Sequence, residues 1–359
     1  MRNLVAFRKT NRPWHLPVVA GFCVGVPLLL GLYFDDMEAG KLASVGALLI
    51  LYIQSDDLVN RLISLMICGF GFILSYTVGS VFSFGSVLPP VALGVYTFGV
   101  HYALFRLNLT KPPGNFFFIM IAAMAIASPK AMDTLSSGIG NVALGVIIAC
   151  SIGLIYSLIT LRSKSNPKQK VVFQSNPYTN ITESIIFGAT VGFSLLIAKL
   201  LEMDNPYWVP ISCMAVMQGI STSQVWERAL HRVLGTVIGL GLTWLVLLFP
   251  LSVWQVCLCI IVLQTIIEFL VVRNYGLAAV FITMLTVFLA EPNISLTGDS
   301  GTLIQARLID TLIGSVIGAV GGWLAYHQRV HFYTRLQLRR TRTIVKRIKR
   351  HAEKQGPRI

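Results

Sequence analysis

Apolar stretches of about twenty residues, separated by short polar intervals, recur along the chain from Trp14 to His327. A run of that length forms a helix able to cross a hydrocarbon core of about 30 Å. The pattern predicts segments near 14–34, 42–53, 62–82, 87–105, 115–127 and 138–160, then near 181–201, 208–219, 229–249, 251–272, 276–290 and 308–327. The expected fold is all-α and polytopic, with about twelve membrane helices. Residues 1–160 form a first repeat of six, 161–177 a polar linker, 178–327 a second repeat of six, and 328–359 a basic tail.

Two pairs of segments are too short for an ordinary crossing. The second and eighth, Leu42–Ile53 and Trp208–Gly219, span about a dozen residues, or about 18 Å of helix. The fifth and eleventh, Asn115–Ala127 and Tyr275–Ala290, are little longer. Short helices at matching places in two halves point to a transport site. The other reading is that Gln54, Ser55, Gln218 and Ser221 continue the turns and complete ordinary helices.

Composition and charge narrow the class. Hydrophobic residues make up 55% of the 359 positions and charged residues 12%, about half the charged share of a soluble globule. Such a chain has too little polar surface for water and no room for a sizeable soluble catalytic domain. The net charge of +14 does not signal nucleic acid, because its cations cluster at segment ends and no base-reading motif accompanies them. With the N-terminus inside, 25 of the 29 Lys and Arg residues fall in cytoplasmic segments. Only Lys41, Lys130, Lys199 and Arg307 fall outside, where the loops are acidic. Both termini are therefore expected inside. No cleavable signal precedes the first segment, the six cysteines lie in apolar runs as packing residues, and the histidines form no metal cluster.

The two sets of six are related in sequence. Gly21, Val24, Gly25, Leu28 and Leu29 recur 167 positions later as Gly188, Val191, Gly192, Leu195 and Leu196, and Arg61 recurs as Arg228. Phe118, Ile119, Ala127 and Pro129 recur as Phe281, Ile282, Ala290 and Pro292. Six being even, each half starts on the same side and the repeats run parallel, about an axis along the membrane normal.

Candidate chemistry gathers in the second half. Arg228, Arg232 and Thr236 lie four apart on one helix face, and Gly235 and Gly239 offer a small surface for close helix approach. Guanidinium groups stay charged and fit carboxylates as a planar fork, so these residues, with Arg61, are candidates to bind an anion. The alternative is that Arg228 and Arg232 only mark the cytoplasmic boundary. The last segment carries Arg307, Asp310 and Thr311, then Gly314, Gly318 and Gly322 as a packing seam. Arg307 and Asp310 either neutralise each other or serve as an anion attractor and a protonatable group. Glu268, set between Ile267 and Phe269, either takes part in proton coupling or pairs with Arg273. Trp208, beside Tyr207, reads first as an interfacial residue and second as a substrate contact, joined by Gln218. The basic, apolar-spiked tail from Arg329 onward suits a helix on the anionic leaflet, or a contact between copies in a homo-oligomer.

The run Asn205-Pro206-Tyr207-Trp208-Val209-Pro210, the stretch from Trp226 through Arg228 and Arg232 to Gly239, and Arg307-Leu308-Ile309-Asp310-Thr311-Leu312-Ile313-Gly314 resemble the fusaric acid resistance protein-like family. This chain resembles a short form, without large cytoplasmic domains. The resemblance implies a bacterial inner-membrane protein linked to efflux of aromatic carboxylic acids. No cofactor is expected, and with no nucleophile–base pair or metal cluster in the sequence an enzyme is the least expected class. It points to Arg228, Arg232, Gly235, Thr236, Gly239, Arg307, Asp310 and Gly314. The paired six-helix plan is also similar to the plant aluminium-activated malate transporters, which are anion channels. A membrane scaffold that recruits partners through the basic tail is the third reading.

Overall fold

The computed structural model describes residues 10, 12–53, 58–106, 113–127, 132–161, 177–249, 251–290 and 300–327. The basic tail and nearly all of the linker lie outside them, as do Gln54 and Ser55. The described chain is helical: α1 (His15–Tyr33), α2 (Met37–Ala47) continued by a 3₁₀ segment (Leu48–Tyr52), α3 (Leu58–Val81), α4 (Leu88–Arg106), α5 (Phe116–Ala127) and α6 (Met132–Leu161). Then follow α7 (Pro177–Leu200), α8 (Trp208–Met217), α9 (Thr222–Leu247), α10 (Val253–Leu270), α11 (Tyr275–Ala290) and α12 (Ser300–Tyr326).

Each predicted apolar segment is a helix, but several begin earlier than the apolar pattern does. Two of the added turns are started by caps rather than by hydrophobicity. Asp36 accepts from Ala39 N–H (3.0 Å) to start α2, and Ser221 accepts from Gln224 N–H (3.3 Å) to start α9. Ser252 and Gln255 form a capping box at α10.

Among the described residues, eight helices are long and apolar enough to cross a membrane: α1, α3, α4, α6, α7, α9, α10 and α12. The other four, α2, α5, α8 and α11, hold the second and fifth places of each six. The short segments are therefore short helices. In particular, α8 stops at Met217, Gln218 closes it, and Ser221 opens the next helix instead of extending it. Ten residues rise about 15 Å, half a bilayer core. All ten residues of α8 are buried, so both of its ends are surrounded by protein, where such ends are tolerated.

The packing of α1–α6 recurs in α7–α12. Helix α2 packs on α6 as α8 does on α12, α3 on α5 as α9 does on α11, and α3 on α6 as α9 does on α12. The halves are joined by two main seams, α1 on α10 and α4 on α7, with a smaller contact of α5 on α8. Each half thus lends its fourth helix to the first helix of the other. The seams share a register. Gly21 and Gly25 lie against Ile261 and Thr265 of α10, and Gly188 and Gly192 against Pro90, Gly94 and Phe98 of α4. A Cβ at Gly192 would sit 2.8 Å from the Pro90 carbonyl, so this approach requires glycine.

One backbone feature repeats that residue identity conceals. Asp35 (φ 55°) and Glu202 (φ 49°) close α1 and α7 in the left-handed region. After each, an N–H reaches back five residues: Asp36 to the Gly31 carbonyl (2.8 Å) and Met203 to the Ala198 carbonyl (3.1 Å). This is a Schellman closure, made twice at positions 167 apart.

Candidate functional site

A buried cationic cluster lies within the second half, where α8, α9, α11 and α12 meet. Gly314 and Gly318 of α12 lie against the backbone of α8 at Val209 and Cys213. Gly235 and Gly239 of α9 lie against Ala279 and Val280 of α11 in the same way. These close approaches bring polar side chains of four helices into one apolar surround. Arg232 is 4% exposed and Arg307 8%. Arg232 Nη2 donates to Ser212 Oγ (3.4 Å), and Arg307 Nη2 donates to Thr286 Oγ1 (2.7 Å). The Arg307 guanidinium lies 3.0 Å over the Trp208 ring, and the two guanidiniums stand within Coulombic range of each other. Thr236 donates to the Arg232 carbonyl (2.8 Å) and is 3.4 Å from the Thr283 hydroxyl, which extends the polar line along α9 and α11.

The cluster is under-compensated. Arg232 Nε and Arg307 Nη1 are buried without a hydrogen-bond partner. Asp310 is buried beside them at 3% exposure, yet it forms no ion pair with Arg307 within 4.0 Å. The spacing of three thus leaves the two in Coulombic range of each other without a direct contact. Arg307 turns instead to the hydroxyl of another helix and the face of an indole, which a side chain three residues away on its own helix does not supply. The interfacial reading of Trp208 is likewise corrected. The residue is 9% exposed and packs as the platform beneath a guanidinium. Two cations and one carboxylate in an apolar body leave a net positive charge, costly by several kcal/mol unless an anion or further donor–acceptor pairs offset it.

The other predicted residues lie elsewhere. Arg228, one turn before Arg232, donates to the Ala215 carbonyl (3.2 Å) and stacks over Tyr275 (4.8 Å). Arg61 holds the matching place in the first half, donating to Thr160 (3.1 Å) and lying 5.8 Å from the Tyr156 ring centre. Gln218 reaches across to the first half, where its amide donates to Asn115 Oδ1 (2.7 Å). Glu268 does not pair with Arg273, which folds back onto the Phe269 ring (3.6 Å) and carbonyl. Its partner is Arg12, at 3.0 Å, brought in by the segment that precedes α1. Ser212, Thr283 and Thr286 belong to the cluster but carry no motif. Only their regular spacing to Trp208 and along α11 could have marked them.

The family match falls on this same half. Residues 193–321 match the model of the family described as fusaric acid resistance protein-like. Over 150 residues, 41% of this chain, the sequence is 35% identical to the protein named "Uncharacterized membrane protein YvaC" of Bacillus subtilis (strain 168), covering 23% of that protein. Over 133 residues, 36% of this chain, it is 32% identical to the protein named "Uncharacterized protein YhfK" of Escherichia coli (strain K12), covering 18% of it. The match thus spans less than a quarter of either relative's length. No solved structure matches the chain. Trp208, Arg228, Arg232, Thr236, Arg307 and Asp310 all fall inside the matched stretch, so residues 193–321 of this multi-pass membrane protein are similar to the fusaric acid resistance protein-like family.

Proposed function

We propose that this protein is a transporter of the bacterial inner membrane that exports small organic anions of the aromatic carboxylate kind. The observation that carries the reading is the pair of guanidiniums, Arg232 and Arg307, buried in the membrane body with unpartnered nitrogens. A carboxylate is the group that such a pair recognises: its two oxygens accept from guanidinium forks, and its charge offsets theirs. Removal from water strengthens that attraction, while the apolar walls favour an aromatic body attached to the carboxylate. Trp208, already a platform for Arg307, offers a ring for it to meet.

In this reading the substrate passes along α8, α9, α11 and α12. The seams between the halves are closed by direct approach of glycines to the facing helix. The twelve helices are two parallel six-helix repeats, residues 1–160 and 178–327, with both termini inside. The recurring packing, seam register and Schellman closures support that organisation. Asp310 is the group placed to couple a proton to the anion, since it neighbours Arg307 without being bound to it.

Efflux of preloaded benzoate from proteoliposomes tests the assignment. Wild-type protein should release benzoate faster than empty liposomes and respond to an imposed proton gradient. Arg307→Leu, reconstituted at equal protein level, should not. Equal efflux by the variant overturns the role of the cluster. Efflux that is fast, insensitive to protons and accompanied by current would make the protein an anion channel.

A further inference from the structure

A groove of about 470 Å³ lies on the flank of the α1–α10 seam, beside the start of α11. Its walls include Trp14 and Val18 at the start of α1, Ile266 and Phe269 near the end of α10, and Leu277 and Phe281 early in α11. That size falls within the range of ligand clefts, about 300–1,000 Å³. The walls are apolar, and the Thr265 hydroxyl among them is spent on the Ile261 carbonyl (2.9 Å). Trp14 is 72% exposed and Phe269 43%, so the groove opens sideways, away from the buried cluster.

A cation stands at the rim. Arg273 lies in the turn between α10 and α11, with its guanidinium 3.6 Å from the centre of the Phe269 ring and one N–H on the Phe269 carbonyl (3.2 Å). Among the described residues no carboxylate lies within 4.0 Å of it, and Arg12 is already taken by Glu268 (3.0 Å). An exposed indole and a guanidinium at a helix end are the groups that sit at the level of lipid headgroups. We propose that the groove binds an anionic phospholipid, with an acyl chain between Trp14, Val18, Phe269 and Phe281 and the phosphate on Arg273.

The two parts of the groove select its occupant. Apolar walls give a polar solute nothing to bond, whereas a hydrocarbon chain gains packing contacts there. The headgroup then decides which lipid stays. A planar guanidinium fits a phosphate, and a zwitterionic lipid carries its own cation, which offsets that attraction. The repeat supplies a contrast. At positions 167 earlier, Arg106 stands for Arg273 and Tyr102 for Phe269, while Gly99 and Ala103 replace Ile266 and Leu270 of the wall. There Phe98 and Tyr102 stack on each other (6.1 Å). A lipid in the groove touches α1, α10 and α11 together, and so joins the seam to the helix against which Gly235 and Gly239 pack. The inference is independent of what the protein transports.

Native mass spectrometry of the full chain in detergent, titrated with phosphatidylglycerol or with phosphatidylcholine of the same chains, tests the site. Wild-type protein should retain phosphatidylglycerol at about fivefold lower concentration, the effect of one well-placed arginine. Arg273→Ala should bring the two lipids level, and Arg106→Ala should leave the preference unchanged. Leu277→Trp, which fills the groove from a position 38% exposed, should weaken both lipids. Glycerol phosphate and benzoate, each in excess, should displace neither. Equal retention of the two lipids by the wild type, a preference that survives Arg273→Ala, equal losses in both arginine variants, or undiminished binding to Leu277→Trp overturns the proposal. Displacement by glycerol phosphate overturns it too, because charge alone would then suffice, and displacement by benzoate would make the groove a solute site.

Discussion

The two halves place opposite chemistry at one position of one architecture. Arg232 on α9 corresponds to Leu65 on α3, Gly235 to Cys68 and Gly239 to Phe72. In the second half this site holds two guanidiniums, hydroxyls and a carboxylate. In the first it holds Leu65 and Phe72, neither with measurable exposure, and the rings of Tyr52, Phe72 and Phe118 meet edge to face at 5.2–5.7 Å. The same helix pairings surround both. Packing alone is therefore satisfied by an apolar filling, and the charged filling needs a reason beyond stability. Replacing a buried ion cluster by well-packed hydrophobes is commonly neutral or favourable, so the first half shows what the second would contain if folding were its whole purpose.

The comparison breaks most severely by carrying the charge across. Leu65→Arg would place a guanidinium with no anionic partner among the apolar and aromatic side chains of the first half's core. The expected cost is above about 4 kcal/mol, and the variant should fail to accumulate in membranes on immunoblot. A variant that accumulates normally would mean the first half already tolerates charge. Next in size, Phe72→Ala opens a cavity beneath two rings and should cost about 3–5 kcal/mol, read as a lowered unfolding temperature in detergent. An unchanged temperature would show that this cluster is not the core of its half.

Arg232→Leu makes the second half resemble the first. It should fold, since it removes the burial cost of one cation, yet lose benzoate efflux by about a hundredfold, the effect of deleting one partner of a buried charged pair. Arg228→Leu is its contrast. That residue stacks on Tyr275 near the helix start and should change efflux by less than about threefold. Equal losses for both would assign the effect to helix α9 as a whole and not to the cluster.

Most of this contrast could be read from the residues. Hydropathy placed the helices because each must satisfy its backbone within one apolar run, and the spacing of Arg228, Arg232 and Thr236 marked the right helix. What stayed hidden depends on contacts between helices. Spacing along α12 joined Arg307 to Asp310, but Thr286 and Trp208 from two other helices compete for the same fork. Proximity in sequence likewise offered Arg273 to Glu268, whereas Arg12 arrives from 256 residues away.

The smallest effect probes where the halves agree. Asp35 and Glu202 are exposed side chains in a left-handed conformation that costs a non-glycine residue about 1 kcal/mol. Neither can be explained by local chemistry alone, since one is a short carboxylate and the other a long one, yet both are held by the same five-residue return bond. Asp35→Gly and Glu202→Gly should each stabilise by about 0.5–1 kcal/mol after allowing for the greater freedom of glycine in the unfolded chain. Thermal unfolding of each single variant and of the double reads this directly. If the closures are equivalent, the gains are equal and additive, because the two turns cap different helices and share no contact. A gain at one and a loss at the other would mean that the shared φ conceals different constraints, and the likeness between the halves would then stop at helix packing.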